Sequence, residues 1–305
     1  FDLVEKIDEL QEEIAEHGYE DLTKDRDLQL RVTAGIIKGN TSPKTVLDLS
    51  GDEIRDNFIK IRNGIIGAID FLKRELNIKH YKMLPFPGII VPLSVFFATT
   101  RADGVNYTSL QKDKISIWFW RSLFTRRFSA GVNDRQASDI KELLSLRDNE
   151  NYAFKFPATD IKFDFDKSNF SSNNANSKTL ISMLNTTSPK SLLSGANIDL
   201  DKVLKNGSKH EYHHIFPKKH LERLGRERKE INCLANFCFL TRSDNNTISD
   251  KSPNEYGKLI SDTNKREYLK SALIPEEFEE LDYDEFLEKR VTNLIELAEK
   301  LMNKN

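Results

Sequence analysis

The stretch that decides the reading is His213-His214-Ile215-Phe216-Pro217. It is followed by Asn236-Phe237-Cys238-Phe239-Leu240-Thr241-Arg242-Ser243-Asp244-Asn245-Asn246, then Ser249-Asp250-Lys251-Ser252-Pro253. His213 to Phe216 reads as a short strand closed by Pro217, which has no N–H to give a ladder. Asn236 to Thr241 reads as a second strand. Between them, Lys218 to Leu224 predicts one or two helical turns stopped by Gly225. Ser252-Pro253-Asn254-Glu255 has the form of a capping box with Pro at the first helical position, so a helix carrying Tyr256, Leu259 and Ile260 should start there. The 22 positions from His214 to Asn236, and the 10 from there to Asn246, suit a hairpin with a long loop and a following helix.

Four of the six histidines, His210, His213, His214 and His220, fall within 11 residues. Clustering beside a strand suggests a metal or acid/base site. Adjacent strand residues point to opposite faces, so His213 and His214 need not do the same job. His210 and His220 read as surface histidines without a role.

Working outward, a final long helix is expected from about Tyr283 to Met302, with Phe286, Val291, Leu294 and Leu297 at core spacing. Upstream, Ile161 to Phe165 alternates as a short strand would. Ser168 to Lys178 is small and polar and reads as a linker or loop. The first half is helical in pattern. Leu3, Ile7, Leu10 and Ile14 recur at helical spacing, and Ile54, Phe58, Ile61, Ile65, Ile69 and Leu72 repeat it over a longer helix. Leu84 to Ala98 is continuously apolar and suggests a buried helix beginning near Pro92; Ile115 to Phe128 and Ile140 to Leu146 follow. The expected fold is mainly α with a small α+β part. A helical domain over 1–155 precedes a second domain over 156–305, with the boundary between about 150 and 180.

The chain has 305 residues and a mass of 35.2 kDa, enough for roughly two domains at about 150 residues each. It carries 19 Phe and 38% hydrophobic residues, which excludes a disordered chain. The longest apolar stretch, Pro87 to Ala98, is too short to span a bilayer and holds two Pro and a Gly, so no membrane partner is expected. The opening Phe-Asp-Leu-Val-Glu-Lys is no signal peptide. Two cysteines cannot build a disulfide framework, which fits a reducing cytoplasm. The first residue is Phe rather than Met, so a fragment or processed product is expected.

The motif residues resemble an HNH nuclease, the strand-strand-helix metal finger. The wider match, His-His-Ile-Phe-Pro, Asn-Phe-Cys-Phe-Leu-Thr-Arg-Ser-Asp-Asn-Asn and Ser-Asp-Lys-Ser-Pro, resembles the C-terminal nuclease domain of GmrSD-like, modification-dependent restriction proteins. Leu84-Pro85-Phe86 leading to Val91-Pro92-Leu93, and Trp118-Phe119-Trp120-Arg121 leading to Arg127-Phe128-Ser129, are similar to the segment after that family's N-terminal domain. The family's nucleotide-binding domain, with its Asp-Gly-Gln-Gln-Arg type motif, is absent from this sequence. The resemblance implies that it is a partner elsewhere in the same protein.

The resemblance also implies the chemistry. The expected activity is metal-dependent DNA endonuclease action, nicking or cleaving, in a bacterial or archaeal anti-phage system, with modified phage DNA as substrate. His213 would be a metal ligand and His214 the general base that activates water. Asn246 would be the second protein ligand through its amide oxygen. Asn236 would tie down the long loop so that His214 is held. Many HNH sites have Asp before the base where this chain has His213. The open, hydrated site suits Mg or Mn first, with Zn or Ni as alternatives that an imidazole would favour.

Basic residues are segregated. Residues 201 to 230 hold nine Lys or Arg against five acids, and residues 112 to 147 eight against four. Residues 1 to 27 balance at −8, while Glu276 to Glu288 has eight acids and no base. This fits a polyanion-facing surface, with Arg242 and Lys251 the first candidates for DNA phosphates. The cluster of Trp118, Phe119, Trp120, Phe124 and Phe128 could stack bases but reads first as helix core. Cys233 and Cys238 read as buried thiols, since zinc would need ligands from elsewhere. Two other readings stay open: a catalytically degenerate nucleic-acid-binding or partner-docking module, and a nuclease acting on RNA.

Overall fold

The computed structural model describes residues 2–200 and 212–303. His210 and the basic residues of 201–211 lie outside the described residues. The described chain is mainly helical with one small two-stranded sheet. It divides into two compact units: one through Asp160 together with Leu301 onward, the other from Ile161 to Lys300. The boundary thus falls a few residues after 155, and the last residues group with the first unit.

The first unit is built from six principal helices: α1 (Leu3–Ile14), α2 (Arg26–Lys38), α3 (Phe58–Glu75), α4 (Ile90–Phe97), α5 (Ser109–Phe124) and α6 (Val132–Asp148). All eight residues of α4 are buried, as expected of a helix apolar all round, and it packs against α2, α3 and α6. It begins at Ile90, two residues before Pro92, so Pro92 sits in the first turn where its missing N–H costs no helical bond. Glycines allow the close approach of α3. A Cβ at Gly64 would lie 2.6 Å from the Ser94 carbonyl, and one at Gly67 2.7 Å from Phe97 Cβ. The apolar pattern from Ile54 to Leu72 is not one helix. A capping box at Ser50 starts a short helix, Gly51–Asp56, and the chain breaks at Asn57 before α3.

The aromatics of α5 are core. Trp118, Phe119, Trp120 and Phe124 are buried, and so is Phe128 after the helix. Trp118 Nε1 donates to Asp139 Oδ2 at 3.1 Å, and Arg127 grips the same carboxylate with two bonds. None of these rings is available for stacking on bases.

The second unit contains α7 (Ala175–Asn185), β1 (Tyr212–His214), α8 (Lys218–Arg223), α9 (Arg228–Ile231), β2 (Phe237–Phe239), α10 (Arg242–Ile248), α11 (Pro253–Gly257), α12 (Lys265–Ser271) and, through Lys300, α13 (Tyr283–Asn303). β1 and β2 are antiparallel, pairing Tyr212 with Phe239, His213 with Cys238 and His214 with Phe237. Gly225 follows α8 with φ +77°, a helix stop in the left-handed region. Ser252 and Glu255 close the expected capping box, but α11 ends at Gly257, so Leu259 and Ile260 lie beyond it. The core gathers Ile215, Phe216, Leu240, Ile248, Tyr256 and Phe286. On α13 the fully buried positions include Phe286, Arg290, Leu294 and Ala298, while Val291 and Leu297 only flank that stripe.

Two expectations fail here. Residues 161–165 form no strand. Phe163 and Phe165 pack on one another with ring centres 5.2 Å apart, and the Phe165 carbonyl accepts from Ala235 N–H at 2.8 Å. Two aromatics at alternate positions have found each other, not a ladder partner. The second fails only in part: residues 168–174 are the expected loop, but the run is no linker between units, since Asn174 caps α7, accepting from Ser177 N–H at 2.7 Å, and Phe170 N–H donates to the Asn232 carbonyl at 2.8 Å.

Candidate functional site

The site is assembled around β1, where alternation sends His213 and His214 to different surroundings. His213 is buried. Its Nδ1 lies 2.9 Å from Asn245 Oδ1 on α10, and its ring stands edge-on to Tyr256 at 6.2 Å. Tyr256 is held in turn, donating its hydroxyl to the Ile215 carbonyl at 2.7 Å. The His213 Nε2 is buried, with no hydrogen-bond partner among the described residues.

α10 is lashed in place at its start. The Thr241 hydroxyl caps it by accepting from Asp244 N–H at 3.2 Å. Asp244 is buried and its Oδ2 collects the Leu193 and Ser194 N–H groups and the Ser191 and Ser194 hydroxyls. Those donors hold its carboxyl below the usual range although burial acts the other way. With Asp244 turned inward and Ile248 buried, Asn245 faces His213. Asn246, the ligand expected from the sequence, is exposed on another face. One residue turns a helix by about 100°, so the two side chains point apart. The amide oxygen at this site belongs to Asn245.

Asn236 is fully buried and acts as a clamp. Its Oδ1 accepts from Phe216 N–H at 2.9 Å, and its Nδ2 donates to the carbonyls of Phe216 at 3.1 Å and Ile231 at 3.0 Å. Its backbone carbonyl accepts from Ile215 N–H at 2.8 Å. The long loop between the strands is therefore closed at its base, just after His214.

His214 is half-buried. Its Nε2 lies 2.9 Å from Asn232 Oδ1, and its ring rests at 4.3 Å on Phe237, which stacks on Phe170 at 4.2 Å. The sequence reading did not pick out Asn232. The pair Glu227 and Glu230, which close a box at the start of α9, marked the short helix that ends there.

Electrostatics favour neutral rings. Burial pushes the His213 pKa down to about 4, opposed by the bond to Asn245. Burial also lowers His214, opposed by the bond to Asn232 and aided by the nearby Lys218 charge. His220, half-buried beside Phe216, is lowered by burial and by Arg223.

Among the described residues no group of three or more His, Cys, Asp or Glu is placed to hold a metal ion. An ion here would take His213 Nδ1 and Asn245 Oδ1 and complete its shell with water and substrate. One imidazole nitrogen and one amide oxygen, joined here by a hydrogen bond, are donor types that such an ion accepts. Cys233 and Cys238 are free, buried thiols with pKa values raised by burial, Cys238 to about 12.

The chain matches a relative over most of its length. It is 27% identical over 250 residues to the uncharacterized protein MJ0686 of Methanocaldococcus jannaschii, a match covering 72% of this chain and 40% of the relative. The chain thus spans about two fifths of that protein. No protein-family profile matches.

The two candidate phosphate contacts, Arg242 and Lys251, are both exposed; Lys251 Nζ donates to the Thr247 carbonyl. The basic run 112–147 is largely consumed by its own unit. Lys114 binds the Glu150 and Tyr152 carbonyls, Arg121 the Pro157 carbonyl, and Arg147 those of Val95 and Ala98. No helix is long and apolar enough to cross a membrane among the described residues.

Proposed function

We propose that the chain is a metal-dependent nuclease in which β1, β2 and α10 form the strand-strand-helix finger of an HNH centre, as in GmrSD-like restriction proteins. The observation that carries this reading is the convergence on β1 of three separately anchored groups. Asn245 meets His213, Asn232 meets His214, and Asn236 clamps the backbone two residues on.

In this reading His213 and Asn245 would hold a divalent ion, Mg or Mn. Once bound, the ion supplies charge stabilisation at the scissile phosphate and its leaving oxygen. His214 takes a proton from water as general base. The water oxygen forms a bond to phosphorus, and the leaving oxygen departs with the electron pair of the broken P–O bond and gains a proton from solvent. A neutral His214 is what the base requires, and burial and the Lys218 charge both act toward it, against the bond to Asn232. Arg242 and Lys251 meet backbone phosphates, contacts that fix register without reading sequence. Phage DNA as substrate and control by a nucleotide-binding domain of the same protein belong to the GmrSD-like part of the reading.

The test is cleavage of supercoiled plasmid by the parent and by His214→Ala, with Mg, with Mn and with EDTA. Nicking that needs metal and is lost in a folded His214→Ala protein is expected. An alanine variant that cuts as fast as the parent would overturn the assignment. DNA binding without cleavage under any metal would favour a degenerate binding module.

A further inference from the structure

We infer that Asn232 is a positioning residue: it fixes the proton of His214 on Nε2 and so makes Nδ1 the nitrogen that accepts the proton from water. The inference rests on His214 being the base. Asn232 lies outside the residues the motif itself defines.

The argument starts from the amide. Asn232 Nδ2 donates to the Arg228 carbonyl at 2.9 Å. The opposite assignment would set two acceptor oxygens against each other, so the atom facing His214 is the oxygen. An amide oxygen 2.9 Å from Nε2 requires that Nε2 carry the hydrogen. A neutral imidazole has one ring proton, and Nδ1 is left with a bare lone pair.

The amide is itself fixed. Asn232 N–H donates to the Arg228 carbonyl at 3.1 Å, and its own carbonyl accepts from Phe170 N–H at 2.8 Å. Phe170 in turn backs Phe237, the ring on which His214 rests. One residue thus sets the edge of the imidazole while Phe237 sets its plane. Both are tied to the same strip of backbone at Asn169 and Phe170, which also bridges to Cys233. A base held in edge and plane loses little orientation when it acts, which is the purpose of such outer partners.

The experiment uses the full chain labelled with 15N-histidine, with His214→Ala to assign the signals. Imidazole 1H–15N spectra of the parent should show His214 protonated at Nε2, with its proton protected by a hydrogen bond. Asn232→Asp keeps an acceptor oxygen for Nε2 but loses the anchor on the Arg228 carbonyl, so it should keep that signal with weaker protection. Asn232→Leu removes it and should lose the protected Nε2–H. In parallel, metal-dependent cleavage by Asn232→Leu should fall roughly 10- to 100-fold in kcat with KM little changed, and Asn232→Asp should recover part of the loss. Circular dichroism establishes that each variant is folded.

A parent with its proton on Nδ1 would overturn the inference, as would an Asn232→Leu protein that keeps both the Nε2–H signal and the parent rate. A parent that cleaves nothing would overturn the nuclease reading and the catalytic part of this role with it. The tautomer would then stand or fall on the spectra alone.

Discussion

Asn245 Oδ1 lies 2.9 Å from His213 Nδ1, and its neighbour Asn246 points to solvent. Two side chains of identical chemistry, one residue apart, are separated by the phase of a single short helix. Asn245→Ala should therefore weaken Mn-dependent cleavage on the order of 10- to 100-fold, and Asn246→Ala should leave it within a few-fold of the parent. A Mn titration of the nicking rate separates them. The reverse order would return the ligand to Asn246.

The Asn236 clamp should be visible in stability before activity. Asn236→Leu strands the Phe216 N–H and two carbonyls in a buried place. Each unsatisfied buried group costs about 1–3 kcal/mol, so a loss of roughly 3 kcal/mol or more is expected by urea unfolding of the full chain. A midpoint unchanged from the parent would show that the loop does not depend on this side chain.

The buried His213 gives a defined acid limit. Its pKa lies near 4 in the fold against an ordinary value of 6.5. The unfolded chain therefore binds more protons below pH 6.5, and stability falls with pH from there down to about 4. Above 6.5 the group contributes no slope. The shift is worth on the order of 3 kcal/mol by linkage. With EDTA present, unfolding measured from pH 7 to pH 4 should show this loss. His213→Gln should flatten it, and a Gln variant with the parent's slope would assign the effect elsewhere.

In the first unit the α3–α4 contact should tolerate no added methyl. Gly64→Ala places a Cβ 2.6 Å from the Ser94 carbonyl, a backbone atom that cannot swing aside. Overpacking of this kind costs about 1–3 kcal/mol, against the gain of a few tenths that alanine gives an exposed helix. Thermal unfolding should read a lower midpoint for Gly64→Ala and no such drop for Gly51→Ala, where nothing lies within 4 Å.

Much of the helical architecture was legible because its signals are local. The continuous apolar run set α4 in the core, Gly225 ended α8, and Ser252 with Glu255 started α11. The failures share a different cause. Whether Phe163 and Phe165 join a ladder depends on a partner strand, and the backbone facing them at Ala235 offers one bond and no strand. Which of Asn245 and Asn246 faces His213 depends on Asp244, whose direction is set by donors some 50 positions earlier. Arg290, a charged residue in the buried stripe of α13, is accommodated by donating to the Ala272 and Phe237 carbonyls, which the spacing of apolar residues does not reveal. Asn232 carried no signal of its own, because an asparagine at a helix end is most often a local turn residue.

Asp244 also bears on how portable the motif is. The residues from β1 through α11 look like a self-contained cassette, yet the side chain that orients α10 is anchored entirely on Ser191, Leu193 and Ser194. Transplanted without that turn, Asp244 would face inward with its donors missing, and α10 would be at liberty to rotate Asn245 away from His213. A working graft onto another scaffold has to bring both pieces. For the same reason, when related sequences are compared, a serine near 191 says more about whether the centre is intact than a second asparagine at 246.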